Sequence, residues 1–144
     1  MSLSTADAAA ASGAARMDIA SRAAIVQMVD TFYERIGRDD VLGLIFNDVA
    51  RVDWAVHLPK MYDFWESVLF GTATFKGNPL VVHQALARKT ALTEGTFSRW
   101  IALFHRTVDD LFQGPVAEEA KRRASMIAAT LQYRVNVDPS GRGD

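Results

Sequence analysis

Asp53-Trp54-Ala55-Val56-His57-Leu58-Pro59-Lys60-Met61-Tyr62-Asp63-Phe64-Trp65-Glu66-Ser67-Val68-Leu69-Phe70 is the most informative run of this chain. His57, Met61, Phe64, Trp65 and Val68 recur at i, i+4, i+7, i+8 and i+11. That spacing puts them on one face of an α-helix and does not suit the alternation of a strand. Pro59 complicates the start, because it lacks an N–H and biases Leu58 away from helical angles. The regular helix is expected to begin near Leu58, with His57 at its entrance and less constrained than a mid-helix residue.

The same period continues on both sides. Upstream, Ile25, Val26, Val29, Phe32, Tyr33 and Ile36 form one stripe, with Ser21 as N-cap and Gly37 as the C-terminal stop. Asp39 to Phe46 is short and interrupted by Gly43, so a turn of helix ending in an aromatic is expected. Downstream, Gly71 to Gly77 reads as a loop. Asn78-Pro79 then gives an N-cap followed by proline at the first helical position, opening a short segment, Leu80 to Leu86, that carries His83. Phe97, Trp100, Ile101, Phe104, Val108 and Leu111 mark a third long helix, capped by Thr93 or Thr96. Gly114-Pro115 ends it and starts a last helix lined by Val116, Ala120, Ala124, Ile127 and Leu131. With no strand alternation, the expected class is all-α: four substantial helices plus short pieces. Residues 1–18, rich in Ala and Ser, read as a floppy tail. Residues 19–134 read as one domain, and 135–144 as a fraying end.

Composition removes several kinds of chemistry. The chain has 144 residues, 49% of them hydrophobic, enough for a real core. Net charge is −1, which argues against a nucleic-acid partner, and no apolar run approaches membrane-spanning length. With no basic start and apolar centre of a signal peptide, a cytoplasmic location is expected. The absence of cysteine excludes disulfides, thiolate nucleophiles and thiolate-ligated metal. Only His57, His83 and His105 offer imidazoles, and no HExxH pair, phosphate-binding glycine loop or Glu-x-x-His pattern occurs. What remains is a concentration of aromatics and histidine on inward stripes: Tyr33, Phe46, His57, Met61, Phe64, Trp65, His83, Trp100 and Phe104. If these segments converge, they build an apolar pocket served by two imidazoles, suited to a flat porphyrin whose iron takes one His ligand.

Five motifs in order carry a resemblance: Phe32-Tyr33; Leu42-Gly43-x-Ile45-Phe46; Trp54-x-x-His57 with Met61-x-x-Phe64-Trp65; Gly77-x-Pro79-x-x-x-His83; and Phe97-x-x-Trp100-x-x-x-Phe104. From about Ile25 to Gln132 the chain resembles the truncated haemoglobins, most closely their third group. The resemblance implies a truncated globin fold, a two-over-two helical sandwich around haem b (iron protoporphyrin IX), with His83 as the proximal metal ligand. It implies that Tyr33, Trp100 and His57 face a diatomic gas (O2, NO or CO), and that His57 gates entry. A hydrogen bond from Tyr33 to a polarised ligand would contribute roughly 1.5–3 kcal/mol. Phe46, Met61 and Phe64 would pack against the haem, with Arg88, Lys89 or Lys60 near its propionates. His105 has no matching role and reads as surface or packing. Reversible gas binding, as in oxygen transport, is the leading expectation. An NO dioxygenase or peroxidase using the same pocket and an unidentified reductase is the alternative. A haem-free interaction module whose aromatics are ordinary core is the third reading.

Overall fold

A computed structural model of the chain describes residues 16–73, 75–88 and 90–137. Every regular element among the described residues is helical: α1 Arg22–Arg38, a π-helical segment Leu44–Val49, α2 Trp54–Phe70, α3 Pro79–Ala87, α4 Glu94–Leu111 and α5 Pro115–Val137. Helix α1 packs on both α2 and α4, α4 packs on α5, and α2 also touches α5. Two pairs, α1/α2 and α4/α5, therefore lie one over the other, and the short α3 rests against α5.

The periodic stripes are the faces that pack. Ile25, Val29, Phe32, Tyr33 and Ile36 are buried on α1, joined by Met28. Phe104 and Val108 on α4 and Ala117, Ala120 and Ala124 on α5 complete the main core with Trp65. Small residues along α5 let α4 come close, and the large rings fill the middle: Phe104 stacks on Trp65 at 4.9 Å between centroids and on Trp100 at 5.9 Å.

Helix starts follow side-chain chemistry. Ser21 accepts from the Ala24 N–H at 3.2 Å, and Thr93, not Thr96, caps α4 through the Thr96 N–H at 3.1 Å. Helix α1 runs past Gly37 to Arg38, because Asp39 stops it: its carboxylate accepts from the Val41 and Leu42 N–H groups, each at 2.9 Å, and from Arg99 on α4 at 2.7 Å. Helix α2 likewise does not wait for Leu58. Asp53 accepts from the Ala55 N–H at 3.1 Å, and its carbonyl takes the N–H of His57 at 2.8 Å. The first turn is thus fixed by its own cap before Pro59 removes a bond, and His57 is a helical residue.

At the ends, part of each expected tail is tied down. Asp18 accepts from the N–H groups of Val116 and Ala117 at 3.0 and 2.8 Å, capping α5 from a distant point in the sequence. Gly114 makes room for it, since a Cβ there would stand 2.5 Å from the Asp18 carboxyl carbon, and its φ of +145° also favours glycine. Helix α5 continues to Val137 with Val135 buried. Residues 1–15 and 138–144 of those tails lie outside the described residues.

Candidate functional site

Between α2, α3, α4 and the π-helical segment lies a cavity of about 290 Å³. Its wall includes Tyr33, Phe46, His57, Met61, Phe64, His83 and Trp100. Trp65 also lines it, whereas Phe104 is buried in the main core instead, and Arg88 occupies the exposed turn after α3 and is not part of the wall. Lys60 on α2 is a cation at the rim instead. Lys89 lies outside the described residues.

His83 is oriented by its own helix. Its Nδ1 lies 2.6 Å from the Pro79 carbonyl oxygen, one turn back. Only an N–H can bridge to a carbonyl, so Nδ1 carries the proton and Nε2 keeps its lone pair. Burial holds His83 below the ordinary histidine value, with the Pro79 bond acting against that. The ring is therefore neutral near pH 7, the form that ligates metal.

His57 comes from α2. Its Nε2 is buried and has no hydrogen-bond partner among the described residues. Burial first, then the Lys60 ammonium and the penalty for protonating His57 beside a His83 that is itself protonated, hold its pKa down. A buried polar atom without a partner costs free energy, so this ring is arranged for a group that the protein chain does not itself provide. Tyr33 stands edge-on to it, and Phe46 in the same wall is backed by Trp54, the two rings stacked at 5.9 Å and 13°. Burial pushes the Tyr33 phenol well above its ordinary range, so its O–H remains a donor throughout the physiological range. Trp100 leaves the Phe104 stack to reach the cavity from α4.

The π-helical segment explains how Phe46 arrives there. The Ala50 N–H bonds to the Ile45 carbonyl at 2.7 Å, five residues back, and Val52 to Phe46 at 3.0 Å, six back. The widened turn buries Ile45 and turns Phe46 to the same wall, a device common beside functional sites.

Part of the wall had no expectation attached to it. Phe75, from the loop, packs on Phe64 at 5.1 Å between centroids. Leu92, Phe97, Ile127 and Leu131 form the far side as a second apolar cluster. Phe97 sits on the Trp100 stripe, and Ile127 and Leu131 are one turn apart on α5, so these three carried a signal that ordinary core packing also explains. His105 stays away from the cavity, with Nε2 at 2.9 Å from Ser125 Oγ and 3.1 Å from the Lys121 carbonyl, joining α4 to α5.

The donor set fits a haem. One neutral imidazole offers a free Nε2, the surround is aromatic and apolar, a second imidazole has an unpartnered nitrogen, and a cation stands at the rim. Among the described residues there is no group of three or more His, Cys, Asp or Glu side chains able to hold a bare metal ion. No described helix is long and apolar enough to cross a membrane.

Comparison with known proteins gives the same direction. The model of the bacterial-like globin family matches residues 18–133. The chain is similar to the group 3 truncated hemoglobin ctb of Campylobacter jejuni, 27% identical over 120 residues, covering 81% of this chain and 92% of that protein. It is also similar to the crystal structure of the group III truncated hemoglobin from Campylobacter jejuni. The TM-score is 0.71 at 26% identity, over 82% of this chain and 93% of that one.

Proposed function

The chain belongs to the bacterial-like globin family and has the truncated globin fold, and from that premise we propose that it is a reversible binder of diatomic gases. In this reading haem b occupies the cavity, held by His83 Nε2. The observation that carries it is the Nδ1–Pro79 bond at 2.6 Å, which sets the tautomer and aims the other nitrogen. Haem supplies an iron coordination position at which O2, NO or CO binds.

The chain's own residues supply the rest. The Pro79 carbonyl polarises the His83 ring less than a carboxylate would, so the imidazole would hold the iron as an ordinary neutral ligand without strong anionic character. Tyr33 and Trp100 offer an O–H and an N–H. Such donors favour a polar ligand such as O2 over the less polar CO. His57, neutral and without a partner on Nε2, is a third group that can turn toward the ligand or away from it. Phe46, Met61, Phe64 and Phe75 exclude water, and Lys60 is placed for a propionate at the rim. The cytoplasm is the compartment we assign.

The test is the visible spectrum of the purified protein, oxidised, reduced with dithionite, and reduced under CO. A Soret band that shifts on reduction and again with CO is expected. No Soret band after haem reconstitution would overturn the reading.

One observation favours a second reading, a peroxidase or NO dioxygenase served by a separate reductase. A neutral imidazole with a free nitrogen inside an apolar cavity is the equipment of a general base. Rates of peroxide and NO consumption, with and without His57, separate the two.

A further inference from the structure

Four residues of the cavity wall are exposed: Lys60 on α2, and Gly77, Asn78 and Val82 at and before the first turns of α3. The other wall residues are buried or half-buried, so these four mark the mouth. Val82 keeps 63% of its surface in solvent, which leaves an apolar side chain in the mouth. Lys76 is exposed beside it, between the wall residues Phe75 and Gly77. Arg88 is exposed on the turn that follows the wall residue Leu86.

The charge around this mouth has one sign. Residues 67–93 contain no Asp or Glu, the longest such stretch of the chain, and they carry Lys76, Arg88 and Lys89. The whole chain has a net charge of −1, so setting these three apart leaves −4 for the rest. The acids that precede the stretch, Asp63 and Glu66, are engaged by Arg22 of α1 at 3.0 and 2.9 Å. Glu94 is the first acid after it. Among the described residues neither Lys60 nor Lys76 enters an ion pair. The other basic run differs in this respect: Asp109, Glu118 and Glu119 pair with Lys121, Arg122 and Arg123.

We propose that this mouth is the docking face for an acidic protein that donates single electrons to the haem iron. This rests on the haem reading above. A carboxylate-rich surface answers a face that has cations and no anion of its own. An apolar side chain ringed by charge is the make-up of a protein contact, and electron-transfer encounters are weak and need little area. The step moves one electron from the donor to ferric iron. The donor is oxidised by one electron, the iron becomes ferrous, and no proton or group is transferred.

The probe for the test is a plant-type ferredoxin, a small acidic iron–sulfur protein of low potential, and the chain is used loaded with haem. Amide spectra of the nitrogen-15-labelled ferrous CO form, titrated with oxidised ferredoxin, show where it docks. Stopped flow at the Soret band follows reduction of the ferric form by reduced ferredoxin. Amide signals of Lys76, Val82 and Arg88 should shift or broaden before those of α1. The second-order reduction rate should fall as salt is added, since steering by exposed charges is screened. Lys76→Glu changes an exposed loop residue outside the cavity wall, so the fold should hold. It should lower the rate about threefold or more at low ionic strength, within the range of electrostatic steering. Arg38→Glu, the same change of charge on α1, should stay near the parent. A photoreduced neutral deazaflavin, which needs no docking face, should reduce all three at one rate.

Ferredoxin that shifts no signal at the mouth overturns the proposal. So does a reduction rate that ignores both salt and Lys76→Glu, or a Lys76→Glu protein equally slow with the deazaflavin. Cosedimentation with phosphatidylserine vesicles, together with unshifted ferredoxin spectra, overturns it in favour of an anionic membrane. Absence of a Soret band overturns the haem reading itself, and the spectrum shows that before any donor is added.

Discussion

The imidazole of His57 meets the ring of Tyr33 edge to face, with centroids 4.9 Å apart and planes at 89°. The two polar groups of this wall come from different helices, yet each limits where the other can turn. Tyr33 is further held between Phe32 at 5.0 Å and Phe46 at 5.9 Å, whereas His57 keeps a buried nitrogen without a partner among the described residues. One group is fixed by packing, and the other has a reason to move.

Removing only the Tyr33 oxygen tests the fixed donor. Tyr33→Phe keeps the ring contacts, so stability should change little. O2 dissociation, followed by stopped flow, should accelerate roughly 10- to 150-fold, the equivalent of a hydrogen bond to a charged or strongly polar acceptor at about 1.5–3 kcal/mol. CO dissociation should change much less, because bound CO draws weakly on a donor.

His83→Gly removes the proposed ligand while leaving the Asn78-Pro79 helix start intact. Far-ultraviolet circular dichroism should remain helical, since His83 is only part-buried and lies outside the main core. Haem affinity should fall on the order of 100-fold or more, beyond the effect of losing a group behind a ligand. Added imidazole should restore the Soret band. A variant that retains haem without imidazole would move the ligand to another residue.

Asp18 predicts an acid-sensitive fold. Burial alone would raise its pKa, yet hydrogen bonds from the N–H groups of Val116, Ile19 and Ala117 hold it below the ordinary 3.8. A carboxylate with a depressed folded-state pKa contributes stability above its unfolded value, and that contribution is lost as pH falls through the folded one. Urea unfolding of Asp18→Ala should show a loss of about 0.5–2 kcal/mol at pH 7, the scale of a lost N-cap. The difference from the parent should shrink below about pH 4.

Much of this was legible before any coordinates, because the residues that packing selects are also those that repeat every 3.6 positions. Ile25 to Ile36 and Phe97 to Val108 could be read as buried faces for that reason, and two imidazoles on converging stripes pointed to one pocket. Pro59 misled because its local rule is real but was outweighed: the Asp53 cap and the packing of Trp54 on Phe46 hold the first turn of α2 in place. Arg88 follows His83 closely in sequence, yet it stands exposed on the turn after α3 and does not line the cavity, a difference that sequence proximity does not encode. The π-helical path of Ile45 and Phe46 has no periodic signature in six residues. The Asp18 cap spans 98 positions to Val116, a pairing that no local pattern encodes.

His57→Ala bears on the choice between carrier and enzyme. If His57 is a base in peroxide chemistry, its loss should lower peroxide consumption by roughly 10²–10⁴-fold, the usual weight of a general base. On the gas-binding reading the change should be under about tenfold, while CO association should rise as the cavity side of α2 opens. The pH dependence gives a second handle. Because burial, His83 and Lys60 hold the His57 pKa below the ordinary 6.5, the neutral base form persists into mildly acid solution. Activity that depends on it should therefore be constant from neutral pH downward and fall only below the usual histidine range. Peroxide consumption that already drops near pH 7, or that is equal in parent and variant, excludes His57 as the base. It would leave reversible gas binding as the function of the cavity.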